Sequence, residues 1–248
     1  MKTLSAIVIT FNEESNIRDC LESVKWVDEI IVLDSGSQDE TVAIAREYTR
    51  HVFVTDWPGY GVQKQRALEK ATSDWVLSID ADERVSDELQ KKIKSVITAS
   101  NVDGYRINRP LIFCGKKIKY ANGLDRKLCL FKRKRAKFSL DIVHEVVSVD
   151  GIVKNISEPL YHHSFKNVGD LLTKINAYSI LNAEKKFQKK QKSSLFKAIT
   201  HALWMFFKIY ILKRGFLDGK EGFILAVSFA EGSYYRYLHL MYLWKAKS

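Results

Sequence analysis

Apolar residues in the first hundred positions fall into short runs of strand length: LSAIVIT (4–10), EIIVLD (29–34), HVFVTD (51–56) and WVLSID (75–80). They are rich in β-branched side chains, which suit a pleated, buried surface. Between and after them, Glu14 to Val24, about Asp39 to Tyr48, GVQKQRALEKA (61–71) and Asp87 to Ala99 carry helical patterns. Strand and helix in alternation predict βαβ units and an α/β fold with a mostly parallel sheet covered on both faces. Ligands of such sheets sit outside the carboxyl ends of the strands. Three of the four strands end there in polar clusters, TFNEE, DSGSQDE and DADE, which locates the expected site.

From Gly104 to about Val153 the pattern is strand-like, in GYRINRPLIF, RKLCLFKR and VVSVDGIVKNI, and predicts a mixed extension of the sheet. After Tyr161-His162-His163 the chain reads mostly as helix, rich in lysine and aromatics. EKKFQKKQK (184–192) sets five lysines against one acid. The expected boundary near residue 165 divides an α/β domain (1–165) from a C-terminal helical region (166–248).

Charge and composition narrow the partners. The chain has 248 residues, 46% of them hydrophobic and 28% charged, enough for a sizeable core and against disorder. Its net charge of +11 points to a polyanion, either nucleic acid or an anionic membrane face. Nucleic-acid modules usually show a helix-turn-helix, an aromatic RNP strand or zinc ligands, and none is evident. Three cysteines without a CxxC pair read as buried thiols in a reducing cytoplasm. No signal peptide opens the chain, and a spanning helix needs about 20 apolar residues. LWMFFKIYIL from Leu203 and FILAVSFA from Phe223 are shorter or interrupted by charge. ALWMFFKIYILKR (202–214) instead has the composition of an interfacial helix, with Trp204 and Tyr210 as anchors. The expectation is a cytoplasmic protein that touches a membrane without crossing it.

The clusters themselves carry the chemistry. In DSGSQDET, Gly36 permits a tight turn and Ser37 with Glu40 fits a capping box, while Asp34 offers a carboxylate at the strand tip. In DADE, Asp80, Asp82 and Glu83 crowd three acids into four residues, which is costly unless a cation neutralises them. Mg²⁺ is typically held by one or two carboxylates plus substrate phosphates. On an extended segment Asp80 and Asp82 point the same way and both can face one ion. A haloacid dehalogenase-type phosphatase also ends a strand in DxD, but it wants Thr or Val where this chain has Arg84, and it leaves TFNEE and DSGSQDET unexplained. No GxGxxG or GxxxxGK[ST] motif supports a dinucleotide or P-loop enzyme.

TFNEE, DSGSQDET and DADE, in this order and spacing, resemble the signature of family 2 glycosyltransferases with the nucleotide-diphospho-sugar (GT-A) fold. DWPGYGVQKQRAL, WVLSIDADE, RKLCLFKR and VHE further resemble bacterial lipopolysaccharide core β-glucosyltransferases, across nearly the whole chain. The resemblance implies transfer of a hexose, glucose foremost, from a UDP-sugar to an inner-core heptose of lipopolysaccharide at the cytoplasmic face of the inner membrane. A same-fold enzyme acting on another cell-surface glycan is the alternative. It implies that Thr10, Asn12 and Glu13 line the nucleotide pocket, with Asp34 on uridine. Gln63, Lys64 and Arg66 would lie near the nucleotide or diphosphate, and Asp80 would contact ribose or donor sugar. Asp82 would be the main protein ligand of Mg²⁺ or Mn²⁺. Arg126 and Lys127 would approach the diphosphate, and the KRKR run at 132–135 reads as an acceptor-facing or solvated surface. The family usually takes its base from a Glu-Asp pair, absent downstream here. His144-Glu145 is the nearest counterpart, so Glu145 is the base candidate, with Asp141 and Asp125 as alternatives. His144, His162 and His163 are candidates for a further metal or phosphate contact.

Overall fold

The computed structural model describes residues 2–99, 101–121, 123–139 and 146–246. The elements follow in the order β1 (Leu4–Thr10), α1 (Glu14–Val24), β2 (Glu29–Asp34), α2 (Thr41–Arg46), β3 (Val52–Val54), α3 (Tyr60–Lys70), β4 (Trp75–Asp80), β5 (Glu83–Val85) and α4 (Asp87–Ala99). Next come β6 (Gly104–Phe113), β7 (Lys116–Lys117), β8 (Leu124–Lys132), β9 (Ala136–Phe138), β10 (Val147–Val149) and β11 (Val153–Phe165). Three helices close the chain: α5 (Val168–Gln188), α6 (Leu195–Phe207) and α7 (Lys220–Lys245). Two compact units emerge, one of residues 1–109 and 126–162, the other of 110–125 and 163–248.

In the first unit the strands run in the order β3-β2-β1-β4-β8-β6-β11-β5. β1 pairs in parallel with β2 on one side and with β4 on the other, so the winding direction reverses at β1. Such a switch point opens a crevice at the carboxyl ends of the strands. β8 then joins β4 antiparallel, and β11 joins β5 antiparallel, which is the mixed extension that the strand-like pattern after Gly104 predicts.

The alternation of side chains assigns each face its helices. Leu4, Ala6 and Val8 of β1, with Val32, Leu77 and Ile79, pack against Ile17 and Leu21 of α1 and Leu89 and Ile93 of α4. Ile7 and Ile9, with Ile31, Leu33 and Val76, pack against Ala67 and Leu68 of α3 and against Phe131 and Phe138. Both faces are therefore covered, which explains why these strands read as continuous apolar runs rather than as alternating ones. Cys20 and Cys129 are buried as expected, and burial pushes the Cys129 thiol up to about 12. Cys114 is exposed, against expectation.

The second unit has its own core, with Leu111, Phe113 and Ile118 gathered against Leu171 and Ile175 of α5 and Leu225 and Ala226 of α7. Gly232 lets α5 and α7 approach closely, since a Cβ there would stand 2.6 Å from Ile175 Cγ2. Ser179 Oγ uses that proximity to donate to the Gly232 carbonyl at 2.8 Å. The segment Leu195–Leu212 differs from expectation. α6 passes without a break into a π-helical turn, Lys208–Leu212, so Lys208 does not interrupt it. These 18 residues form a helix long and apolar enough, by length and composition, to cross a membrane, and 11% of it is buried.

Asp218 ties the second unit together. Its buried carboxylate accepts the backbone N–H groups of Lys119 at 2.9 Å, Tyr120 at 2.9 Å and Ala121 at 2.7 Å. Leaving a buried donor unsatisfied costs about 1–3 kcal/mol. Asp218→Ala, which strips three donors at once, is expected to lower stability by roughly 3 kcal/mol or more in urea unfolding, taking the low end of that cost for each donor. A change below about 1 kcal/mol would mean that water replaces the carboxylate without loss.

Candidate functional site

The site is built where β1, β2 and β4 end side by side. The parallel registers set Thr10 opposite Asp34 and Ile9 opposite Asp80. Beyond the strands, the two polar clusters lock to one another. Asn12, in the left-handed region at φ 52°, donates its N–H to Ser37 Oγ, and its Oδ1 accepts from Gln38 N–H. Glu13 N–H donates to Thr41 Oγ1, and the Glu13 carboxylate accepts from Asn16 Nδ2.

Ser37 does not cap α2, which begins at Thr41 without a side-chain cap. Its hydroxyl turns back onto Asp34 Oδ2 at 2.5 Å. Asp34, fully buried, also accepts the N–H groups of Gly36 and Ser37 on Oδ1, an Asx turn that competes with the helix start. Gly36, at φ 86°, meets the backbone demand of that turn.

Gln63 of α3 is fully buried beside the tip of β2, donating Nε2 to Ser35 Oγ at 3.0 Å and to Thr55 Oγ1 at 2.9 Å. Gln63 Oε1 and Thr10 Oγ1 are buried with no hydrogen-bond partner among the described residues. Buried polar atoms are almost always paired in a finished interior. Two such atoms at the carboxyl edge mark a place where a ligand's donors fit. Arg66 stands apart, pairing with the exposed Asp56 at 2.7 Å, and Arg126 is exposed.

The acids of DADE are held mainly by cations from three other elements. Asp80, 27% exposed in its side chain, meets Lys64 of α3 at 3.0 Å, Lys127 of β8 at 2.6 Å and Arg109 of β6 at 3.7 Å. Burial by itself would raise the Asp80 carboxyl, but Lys127, Lys64 and Arg109 hold it well below the usual carboxylate range. Glu83 is fully buried. It forms an ion pair with Arg109, whose Nε stands 2.5 Å away, and accepts from Lys127 Nζ at 3.0 Å and from the Asp80 N–H at 2.8 Å. Register explains the meeting: Leu77 pairs with Leu130, and the same antiparallel ladder carried onward brings Lys127 to Asp80.

Asp82 takes a different partner. β4 ends at Asp80, and Ala81-Asp82 form a turn, so the two-residue alternation stops and the expected common facing of Asp80 and Asp82 does not apply. The β5–β11 ladder sets His162 opposite Glu83 and leaves His162 Nε2 3.4 Å from Asp82 Oδ2. Arg109 Nη2, 2.8 Å from the same nitrogen, links the Asp82–His162 pair to Asp80.

Sequence reasoning missed Arg109. Its signal is a charged side chain, 17% exposed, inside the strand GYRINRPLIF. Asp141, His144 and Glu145 lie outside the described residues.

Among the described residues no three His, Cys, Asp or Glu side chains gather as a ready metal cluster. Asp82, joined by His162 once its Nε2 is released from Arg109 Nη2, fits an ion whose remaining positions are filled by phosphate oxygens and water. Asp80 and Glu83 are engaged by their cations.

Comparisons with known proteins identify the family. The family model described as "Glycosyl transferase family 2" matches residues 5–151, which hold the first three polar clusters, Lys64, Arg109 and Lys127. An "Uncharacterized glycosyltransferase" of Rickettsia felis is 35% identical over 250 residues, spanning 95% of this chain and 88% of the relative. The lipopolysaccharide core biosynthesis glycosyltransferase LpsC of Rhizobium meliloti is 31% identical over 244 residues, spanning 95% and 89%. Among solved structures, glucosyl-3-phosphoglycerate synthase from Mycobacterium tuberculosis, crystallised with Mg²⁺ and UDP, aligns with a TM-score of 0.46 at 19% identity, over 68% of this chain and 74% of that one. By its motifs, its winding order and its relatives, the chain belongs to glycosyl transferase family 2.

Proposed function

We propose that this glycosyltransferase moves a hexose, glucose foremost, from a UDP-sugar to an inner-core heptose of lipopolysaccharide, at the cytoplasmic face of the inner membrane. The observation that carries the donor reading is the cation-filled corner at the end of β4. Lys64, Lys127 and Arg109 converge there beside the Asp82–His162 pair, a charge pattern suited to a diphosphate with its metal. The buried, unsatisfied Thr10 Oγ1 and Gln63 Oε1 support a nucleoside at the β1–β2 side of the same edge. The likeness to LpsC supports a lipopolysaccharide-core acceptor.

On this reading Lys64, Lys127 and Arg109 bind and orient the two phosphates, and Asp82 with His162 holds Mg²⁺ or Mn²⁺. When bound, the ion supplies Lewis-acid stabilisation of the departing diphosphate. The acceptor hydroxyl oxygen bonds to the anomeric carbon as the bond from that carbon to the UDP oxygen breaks, inverting the centre. The hydroxyl proton passes to a carboxylate base, for which Glu145 is the candidate. Asp34, closed on its own turn, bounds the uridine end.

The experiment that tests the function offers a panel of UDP-sugars with Mg²⁺ or Mn²⁺ to truncated, heptose-containing lipopolysaccharide, with products read by mass. A gain of one hexose from UDP-glucose, lost on chelation, is the expected outcome. Gain with a different acceptor alone would move the enzyme to another cell-surface glycan. Asp82→Ala is expected to abolish transfer with the melting temperature unchanged, and near-normal turnover would sink the metal assignment. Glu145→Gln is expected to cut kcat by about 10²–10⁴ while donor Kd stays put, the usual range for a lost general base. An unchanged rate would place the base elsewhere.

A further inference from the structure

Helix α6 and its continuation to Leu212 are apolar on both sides. Ala198, Met205, Phe206 and Ile209 pack inward in the helical core of the second unit. Phe196, Ile199, Leu203, Phe207 and Ile211 recur at helical spacing on the opposite face and point to solvent. Phe196 is 78% exposed and Leu203 66%. Phe216, Leu217 and Phe223 are exposed as well, with Phe223 set edge-on to Tyr210 at 5.5 Å. Contiguous apolar surface of this kind marks an interaction face.

Charge selects the occupant. Between Lys185 and Leu217 there is no Asp or Glu, and the formal charge rests on lysines and Arg214. Lys186 and Lys197 both stand over the Tyr237 ring, at 5.3 and 5.6 Å, and His201 stacks on that ring at 4.1 Å. Burial, then Lys197, Lys186 and Arg236, hold the His201 imidazole below its ordinary value. Arg236 Nε is buried with no hydrogen-bond partner among the described residues. A second copy of this chain would bring the same positive charge to the contact and be repelled. A bilayer with anionic headgroups offers apolar depth and negative charge together.

Packing fixes the attitude of the helix. Eighteen residues rise about 27 Å, close to the roughly 30 Å hydrocarbon core, so length alone permits a crossing. However, α7 runs along α6, as the His201–Tyr237 stack and the Phe206–Phe223 contact at 6.0 Å show. A crossing would carry Glu231 and Arg236 of α7 into hydrocarbon, at several kcal/mol in translocon scales. Lying flat costs nothing of that kind.

We propose that Leu195–Leu212 lies in the plane of an anionic membrane surface with Phe196, Leu203 and Trp204 inserted, and that Lys186, Lys197 and Arg236 seat lipid phosphates. This deepens the membrane-surface part of the proposed function and is independent of its chemistry. The test is co-sedimentation of the full chain with vesicles of phosphatidylcholine alone and of phosphatidylcholine mixed with phosphatidylglycerol. Binding to the anionic vesicles, weakened by salt, is expected. Leu203→Glu with Trp204→Glu should abolish it while UDP binding by calorimetry is retained. Lys186→Ala with Lys197→Ala should weaken it roughly thirtyfold, from about 1 kcal/mol per lysine at the surface. Equal pelleting of wild type and L203E/W204E would overturn the seat, as would a dimer that this pair of changes abolishes in a protein blind to both vesicles. Lost vesicle binding with intact UDP binding leaves the donor reading standing. Intact vesicle binding without UDP binding leaves only the seat.

Discussion

The site depends on charge compensation at the end of β4. Glu83 is shut away from water entirely, and Asp80 is only partly open to it. Lys127, Lys64 and Arg109 hold the Asp80 carboxyl well below the usual carboxylate range against the pull of burial. Each cation comes from a different element, so α3, β8 and β6 are drawn to one point by the ion pairs they make with Asp80 and Glu83. Removing one partner of such a buried set commonly costs about 3–5 kcal/mol, because the remaining charge has nowhere to go. The same cations serve the proposed diphosphate. On the proposed reading, structure and donor binding draw on one set of charges, and phosphates reaching Lys127 would meet a side chain already held in place by Asp80 and Glu83.

The two units solve different problems. In the first, two apolar layers clamp the parallel strands and leave their carboxyl ends for chemistry. In the second, small residues let α5 and α7 close on each other, and Asp218 gathers three backbone donors. The outward face of α6 carries exposed apolar side chains from Phe196 to Ile211, which read as contact surface rather than as core.

Much of this was legible in the residues. The runs LSAIVIT, EIIVLD and WVLSID fall on β1, β2 and β4 because strands buried on both faces leave no polar alternation to blur their ends. HVFVTD shrank to Val52–Val54, an edge strand that pairs on one side only. Local reasoning failed where side-chain competition decided the outcome: Ser37 fits a capping box, yet Asp34 takes its hydroxyl. It also left out the cations distant in sequence that meet Asp80 and Glu83. Arg109 and Lys127 reach them through strand register, which no local pattern encodes. His162 stood out in Tyr-His-His, but only the β5–β11 ladder brings it to Asp82. Lys208 looked like an interruption of the apolar helix, and the π-turn carries the helix past it.

The central claim is that the carboxyl edge of β1, β2 and β4 seats a nucleotide diphosphate and its ion together. Crystals grown with UDP and Mn²⁺, and measured at the manganese edge, test it directly. The account predicts an anomalous peak in contact with Asp82 and His162, with the diphosphate between that peak and Lys127. Manganese bound away from Asp82, or UDP lying outside the β1–β4 crevice, would contradict it.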